Sequence, residues 1–386
     1  MGFKSKTQVA LGVSAALMGG SMMASADSYP VKGTVIQVLE QFDNPEGAIF
    51  SADGKFVFIS NAAELGNADK GFFWTRKGGY ISKLAVQADG TLKLVNDKLV
   101  QGLTGPLGMA VSTVATKKFP KGTIFVVEAW APLAQTDGTP VKDASKLDPK
   151  IVAFDADGKV LGHIKLGTGS AAHKAAGVVA TLGNALAFDR QGNLYLAETG
   201  IGGGLFEPPI ATKGGGVYRF PVDQLDALAD GKGTGVQYIP VPEGGPDGIE
   251  VAPDGSIHFN TVGLGAGLKD PAEGGSYRVS TDDFAKGHLP APFATGAGAL
   301  DGLDFAGPIR LDTEIKNTNA VMVTKPGGKP VPLDIGRKLN GPADIAVRQQ
   351  KDGTWLLVIP ELSATSPNAR NNPVTVVRLP ADFDQH

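Results

Sequence analysis

Six copies of one strand–turn–strand pattern, 53 glycines in 386 residues and almost no helical periodicity predict an all-β chain, built as a six-bladed β-propeller. The glycine content is about twice the usual ~7%. So many glycines along an apolar chain imply many tight turns and many short strands. The pattern is a Pro/Gly-rich approach, a small apolar strand, an Asp-Gly type of turn and a second apolar strand. It runs from Pro45-Glu46-Gly47 through Asp53-Gly54 to Phe56–Ser60, and from Gly183-Asn184 through Gly192 to Asn193–Glu198. It returns from Pro246-Asp247-Gly248 through Asp254-Gly255 to Ser256–Asn260. Weaker copies begin at Pro106-Leu107-Gly108, Leu300-Asp301-Gly302 and Pro342-Ala343-Asp344, so the equivalent positions are 46, 107, 184, 247, 301 and 343.

A third strand follows in several copies, as at Gly79–Leu84, Lys150–Phe154, Gly216–Phe220 and Gly275–Val279, and a fourth at Val236–Ile239. Four short antiparallel strands repeated at roughly 40–75 residues describe propeller blades. The last copy ends on a third strand, Val374–Arg378, and Gly33–Leu39 is expected to supply the fourth. That would close the ring and cover a free sheet edge. Gln224–Ala229 is the clear helical candidate outside the N-terminal segment.

Residues 1–26 read as a secretory signal. Lys4 and Lys6 form a positive start, Val9–Met23 is apolar or small, and Ala24-Ser25-Ala26 is a small-x-small cleavage pattern. Residues 27–386 are then one propeller domain, exported to a periplasm or secreted. No later stretch is long and apolar enough to cross a bilayer. With no cysteine, the fold uses no disulfides. Thirty-six basic against 39 acidic residues leave a net charge of −3, with no Lys/Arg-rich run. Nucleic acid and anionic membrane are therefore not expected as partners, and a small-molecule substrate or ligand is.

In a propeller, the residue before each innermost strand and each loop from second to third strand share one face. The loops on that face are long here, including Ala62–Gly78, Ala129–Pro149, Gly200–Gly215, Val262–Gly274 and Ser363–Pro373, whereas most first-to-second turns are minimal Asp-Gly or Gln-Gly turns. Function is expected on the long-loop face. At its axial mouth stand Glu46, Leu107, Asn184, Asp247, Asp301 and Ala343. Three carboxylates that close repel one another unless a cation or protons lie between them. The donor set of Glu46, Asn184, Asp247 and Asp301 is all oxygen, which suits one hard divalent cation, calcium better than magnesium.

Across the mature chain, and best at Pro45-Glu46-Gly47-Ala-Ile-Phe, Gly183-Asn184-Ala-Leu-Ala-Phe-Asp and Asp301-Gly302-Leu-Asp-Phe, the sequence resembles the senescence-marker-protein/gluconolactonase family, which includes diisopropylfluorophosphatase. The resemblance implies that Glu46, Asn184, Asp247 and Asp301 surround one calcium. It further implies hydrolysis of a lactone or other ester-like bond, with Asp301 as general base or nucleophile. Two positions depart from the family pattern. Asp247 replaces an amide, adding a negative charge that would tighten cation binding and could admit a trivalent ion. Leu182 stands where sugar lactonases place a substrate-gripping Arg. A non-catalytic propeller that binds a small ligand or protein around a structural metal is the alternative.

The second strands end in Asn61, Glu128, Glu198, Asn260 and Glu361. These either orient metal ligands at the pocket mouth or are ordinary half-solvated strand ends, the reading preferred for Glu361. His173 lies in a loop before Asn184 and is a candidate for proton transfer; His258, within a strand, is read as structural. Phe72-Phe73-Trp74 would either wall the mouth or pack its own loop.

Overall fold

The computed structural model describes residues 31–63, 76–130, 146–200, 215–242, 244–263, 274–362 and 370–385. They form six four-stranded antiparallel sheets. Blades 1 to 6 start from inner strands Pro45–Phe50, Pro106–Val111, Gly183–Phe188, Pro246–Val251, Leu300–Ala306 and Ala346–Gln349. These inner strands contact one another in succession, and the sixth meets the first. The ring is closed as the sequence predicts. Thr34–Asp43 pairs antiparallel with Arg370–Leu379, with Thr34 opposite Arg378 and Leu39 opposite Val374.

The second and third strands are largely buried on both faces because each blade is sandwiched between two others, whereas outer strands such as Leu92–Leu103 are mostly exposed. In blade 1, Val57 and Ile59 pack toward blade 6 with Leu356, Val358 and Val376, while Phe58 packs toward blade 2 with Val126 and Phe154. Phe58 and Phe154 meet edge to face at 6.1 Å. Burying one such side chain contributes about 1.5–3 kcal/mol, so the interfaces between wedges hold the ring. Apolar clusters of this kind lie between blades 1/2, 2/3, 3/4, 5/6 and 6/1.

The interface between blades 4 and 5 is different. There His258 lies between Phe293 and Phe305, with ring centroids at 5.8 and 5.3 Å. Arg310 stacks over Phe293 and pairs with Asp312 at 2.6 Å, both side chains buried. His258 is thus a packing residue, as the sequence reading has it. Burial, and then the neighbouring Arg310, depress its pKa to about 4.

Asp-Gly pairs close the short first-to-second turns of blades 1, 4 and 6, whereas that connection in blade 2 is long, from Val111 to Ile124. In blade 4, Asp254 Oδ1 accepts from the Ser256 N–H at 2.9 Å, and Gly255 takes φ +87°, a conformation that disfavours any side chain. The predicted helix is Leu225–Ala229, preceded by a 3₁₀ turn at Val222–Gln224. Two more short helices, Ala171–Ala176 and Thr281–Lys286, lack enough turns to show a period. The second was legible through its cap, since Ser280 and Asp283 form a capping box. Among the described residues, no helix is long and apolar enough to cross a membrane. Most of each long second-to-third loop, Phe72-Phe73-Trp74 and the segment 1–30 lie outside the described residues.

Candidate metal centre on the propeller axis

The axial positions are created by irregularities in the inner strands. In blade 1, Pro45 faces Asn61 and Ala48 faces Ile59, so Glu46 and Gly47 together oppose the single residue Ser60. Asp247 and Gly248 oppose Asn260 in the same way, Asp301 and Gly302 oppose Thr313, and Leu107 and Gly108 oppose Val127. Asn184 is the extra residue between the Gly183–Glu198 and Ala185–Ala197 pairs. A bulge of this kind re-aims a side chain out of the regular alternation. Here Glu46, Asp247 and Asp301 stay out of the apolar clusters between blades, whereas Leu107 packs in the one between blades 2 and 3.

The glycine after the key residue is a steric requirement. A Cβ on Gly47 would lie 2.5 Å from the Leu107 carbonyl of blade 2. A Cβ on Gly108 would lie 2.7 Å from the Asn184 carbonyl of blade 3, and one on Gly302 would lie 2.8 Å from the Ala343 carbonyl of blade 6. Each inner strand therefore touches the backbone of the next, and the key residues are drawn to the narrowest part of the ring.

Glu46 and Asp247 are each only 3% exposed, Asp301 6% and Asn184 9%. Burial raises the Glu46 carboxyl well above its ordinary value, and the charges of Asp301, Asp344 and Asp247 raise it further. Asp247 is raised by burial and then by Asp301 and Asp344. Asp301 is pushed to about 8 by burial and by Asp344. The acids of blades 1, 4, 5 and 6 thus form one electrostatic group. Glu46 Oε2 and Asp247 Oδ1 are buried with no hydrogen-bond partner. A buried carboxylate oxygen without a donor is costly, and a cation relieves both the orphaned oxygens and the repulsion. The donor chemistry fits a hard cation, although among the described residues no three acidic or histidine side chains are already gathered as a ligand set.

Three acids escaped the sequence reading. Ala343 does hold the key position of blade 6, because its carbonyl stands against Gly302 as the Leu107 carbonyl stands against Gly47. The acid comes one residue later. Asp344 occupies the place that is glycine in four other blades, and its carboxylate accepts from the N–H of Ile345 and of Ala48 in blade 1. Burial raises it to about 7, against those two hydrogen bonds. Glu250 and Asp304 lie three residues beyond the keys of blades 4 and 5. Burial raises both, and Asp304 is raised further by Glu250. The signal for Asp344 was the Ala343-Asp344 pair, which keeps the acid but shifts it by one residue.

The strand-end residues are not half-solvated: Asn61, Glu128, Glu198, Asn260 and Glu361, the last included, are all buried, and all but Asn260 share one task. Glu128 accepts from the Thr104 N–H at 2.8 Å, Glu198 from Leu182 at 3.4 Å, and Glu361 from Asn340 at 2.7 Å. Glu314, which the sequence reading passed over, accepts from Ala299 at 3.2 Å. Each binds the chain just before its own blade's inner strand. Glu128 also takes Trp130 Nε1 and Lys150, and Glu361 takes Arg337 and Thr375. Asn61 accepts from Asp43 at 3.3 Å and donates to Ser82. Asn260 instead faces the bulge of its own blade. His173 sits in the helix Ala171–Ala176, where Nδ1 accepts from the Gly169 N–H at 3.0 Å.

No protein-family model matches the chain, and no curated protein sequence does. Solved structures do. A gluconolactonase from Xanthomonas campestris superposes with a TM-score of 0.51 at 16% identity, over 92% of this chain and 96% of that one. The PQQ-bound aldose sugar dehydrogenase of Streptomyces coelicolor gives 0.54 at 13% identity, over 91% and 99%. A glucose dehydrogenase gives 0.52 at 15% identity, over 90% and 99%. The chain shares their propeller fold. At these identities the likeness is one of architecture, and the chemistry must be argued from the axial residues.

Proposed function

We propose that the chain is an exported, cation-dependent hydrolase of a lactone or ester-like bond, with one calcium-class ion at the axial mouth. The observation that carries this reading is the pair of partnerless buried oxygens, Glu46 Oε2 and Asp247 Oδ1, within a group of acids that raise one another's pKa. Glu46, Asn184, Asp247 and Asp301 would hold the ion, and the Asp344 charge would add to its attraction. A bound ion polarises a substrate carbonyl oxygen. Asp301 would then either take the proton of an attacking water and pass it to the leaving oxygen as the ester C–O bond breaks, or attack the acyl carbon itself. In the second route water protonates the leaving oxygen, and a second water hydrolyses the acyl-enzyme anhydride to free the acid and Asp301. Ionised Asp301 is required for either role. Its raised pKa, with burial and Asp344 as the causes, is the condition that an adjacent cation reverses.

Leu107 and Leu182 are buried in the apolar cluster between blades 2 and 3, so these two positions bring no charge to the mouth. No guanidinium stands at position 182 to grip a sugar acid, so a less polar lactone or ester fits this side better. The test is turnover of a panel of aliphatic and sugar lactones and aryl esters by wild type and Asp301→Asn, with bound calcium measured in parallel. Turnover lost in the variant while calcium is retained supports the hydrolase. No turnover of any member by the calcium-loaded wild type favours a structural ion in a binding propeller.

A further inference from the structure

The bulges that present the acids differ in how their backbone is held. In blade 1, the N–H of Gly47, next to Glu46, donates to Ser60 Oγ at 2.7 Å. In blade 4, the N–H of Gly248, next to Asp247, donates to Asn260 Oδ1 at 2.8 Å. In blade 5, the N–H of Gly302, next to Asp301, donates to Thr313 Oγ1 at 2.7 Å. All three acceptors are fully buried. The residue at the same place in blades 2, 3 and 6, just before the strand-end glutamate, is Val127, Ala197 or Pro360. None of these side chains can accept a hydrogen bond. The key residues of those blades are Leu107, Asn184 and Ala343. Carboxylate at the key position and a side-chain acceptor beneath its bulge therefore occur together in three blades; the other three lack both there, and blade 6 carries its acid, Asp344, one residue later without such an acceptor.

Two of these acceptors also reach the next blade. Asn260 Nδ2 donates to the Gly302 carbonyl at 3.2 Å and to Asp312 Oδ1 at 3.0 Å, and Asp312 is itself gripped by the buried Arg310. The Thr313 hydroxyl donates to the Ala343 carbonyl of blade 6. From there the Asp344 N–H donates to the Glu46 carbonyl of blade 1 at 3.0 Å. An unbroken series of contacts thus runs from the bulge of Asp247 through those of Asp301 and Asp344 to that of Glu46. It spans the acidic side of the mouth.

We infer that Ser60, Asn260 and Thr313 are positioning residues for the axial acids: they fix the bulge backbone so that the carboxylates stay directed at one point against their mutual repulsion. Fold stability alone does not require an acceptor here, because the bulge of blade 2 forms over Val127. The inference rests on the axial cation proposed above. A ring of like charges relaxes by rotating its bulges apart unless the backbone is held, and a cation site needs the oxygens preorganised.

The test is calorimetric titration of calcium into the metal-free mature protein, with melting temperature recorded for every variant. Ser60→Ala and Thr313→Val should each weaken calcium binding about five- to ten-fold, the equivalent of roughly one hydrogen bond. Thr313→Ser, which restores the acceptor but not the methyl group, should recover the affinity. Thr375→Val removes a comparably buried hydroxyl that serves Glu361 and Arg337 in blade 6. It should lower the melting temperature yet bind calcium within about two-fold of wild type, well inside the ~1.4 kcal/mol that a tenfold change represents. Unchanged calcium affinity in Ser60→Ala and Thr313→Val, with wild type binding one ion, would overturn the positioning role and leave the axial site intact. Equal loss in Thr313→Val and Thr313→Ser would likewise overturn it. Absence of calcium binding by wild type itself would overturn the axial site, and the positioning role with it.

Discussion

The backbone N–H of Asp344 donates to the carbonyl oxygen of Glu46 across 3.0 Å. Through this bond the inner strand of blade 6 meets that of blade 1, and two residues that carry axial charge are locked side by side. The same closeness recurs around the ring, where a glycine of one blade lies flat against the next blade's backbone. A rigid inner ring is what brings acids from distant parts of the chain close enough to raise one another's pKa.

Gly302→Ala tests that closeness. Its Cβ would lie 2.8 Å from the Ala343 carbonyl and 2.7 Å from the Asp344 carbonyl carbon, and neither backbone atom can rotate away. The strands of blades 5 and 6 must separate, and the expected loss is about 1–3 kcal/mol, the usual range for overpacking. Urea unfolding monitored by tryptophan fluorescence measures it. Gly255→Ala, with open space around its Cβ but φ +87°, is the matched control for backbone strain alone.

The blade 4/5 interface supports a second prediction. Arg310 is 4% exposed and its guanidinium is bound to both oxygens of Asp312. Asp312→Ala leaves a buried charge with no counter-ion and also removes a partner of Asn260. Destabilisation by about 3–5 kcal/mol is expected. The double variant Arg310→Leu/Asp312→Leu should regain much of it, as equilibrium unfolding of the set will show.

The positions of Glu46, Asn184 and Asp247 were legible because the repeat marks them twice, by a Pro or Gly before and by a glycine or small residue after; Asp301, which follows Leu300, is marked by Gly302 alone. Asp344 was obscured by the same logic: alignment of the sixth copy puts Ala343 at the key, and the acid occupies the glycine's place. Glu250 and Asp304 look like the polar member of an ordinary alternating strand until the ring shows that this face lines the axis. Ser60 and Thr313 carry no signal in the sequence, since their importance depends on a bulge whose register only the folded strands define. Glu128, Glu198 and Glu361 were visible as strand ends, yet their partners are backbone N–H groups that no side-chain pattern reveals.

Glu198 provides a prediction in pH. It is fully buried, with Oε2 partnerless, and burial pushes its carboxyl to about 8 against three backbone N–H donors. A folded-state pKa above the unfolded value means that the native protein binds the extra proton between about pH 4.5 and 8. Its contribution is complete below about 4.5 and is lost as pH rises through about 8. The melting temperature of wild type should therefore fall, relative to that of Glu198→Gln, as pH is raised across this window. Parallel curves for the two proteins would show that the carboxyl is ionised in the native state.

The axial cation is the claim on which the functional reading depends, and isothermal titration of calcium into the chelator-treated mature chain tests it most directly. Wild type should take up one equivalent, more tightly at pH 8 than at pH 5, because Asp301 and Asp344, raised by burial to about 8 and 7, must release protons to bind it. Glu46→Gln, which keeps the shape but removes a charge and an orphaned oxygen, should lose at least about tenfold in affinity, or roughly 1.4 kcal/mol. A wild-type protein that binds neither calcium nor a trivalent ion at pH 8, while folded, would contradict the account and leave the axial acids as protonated members of the ring.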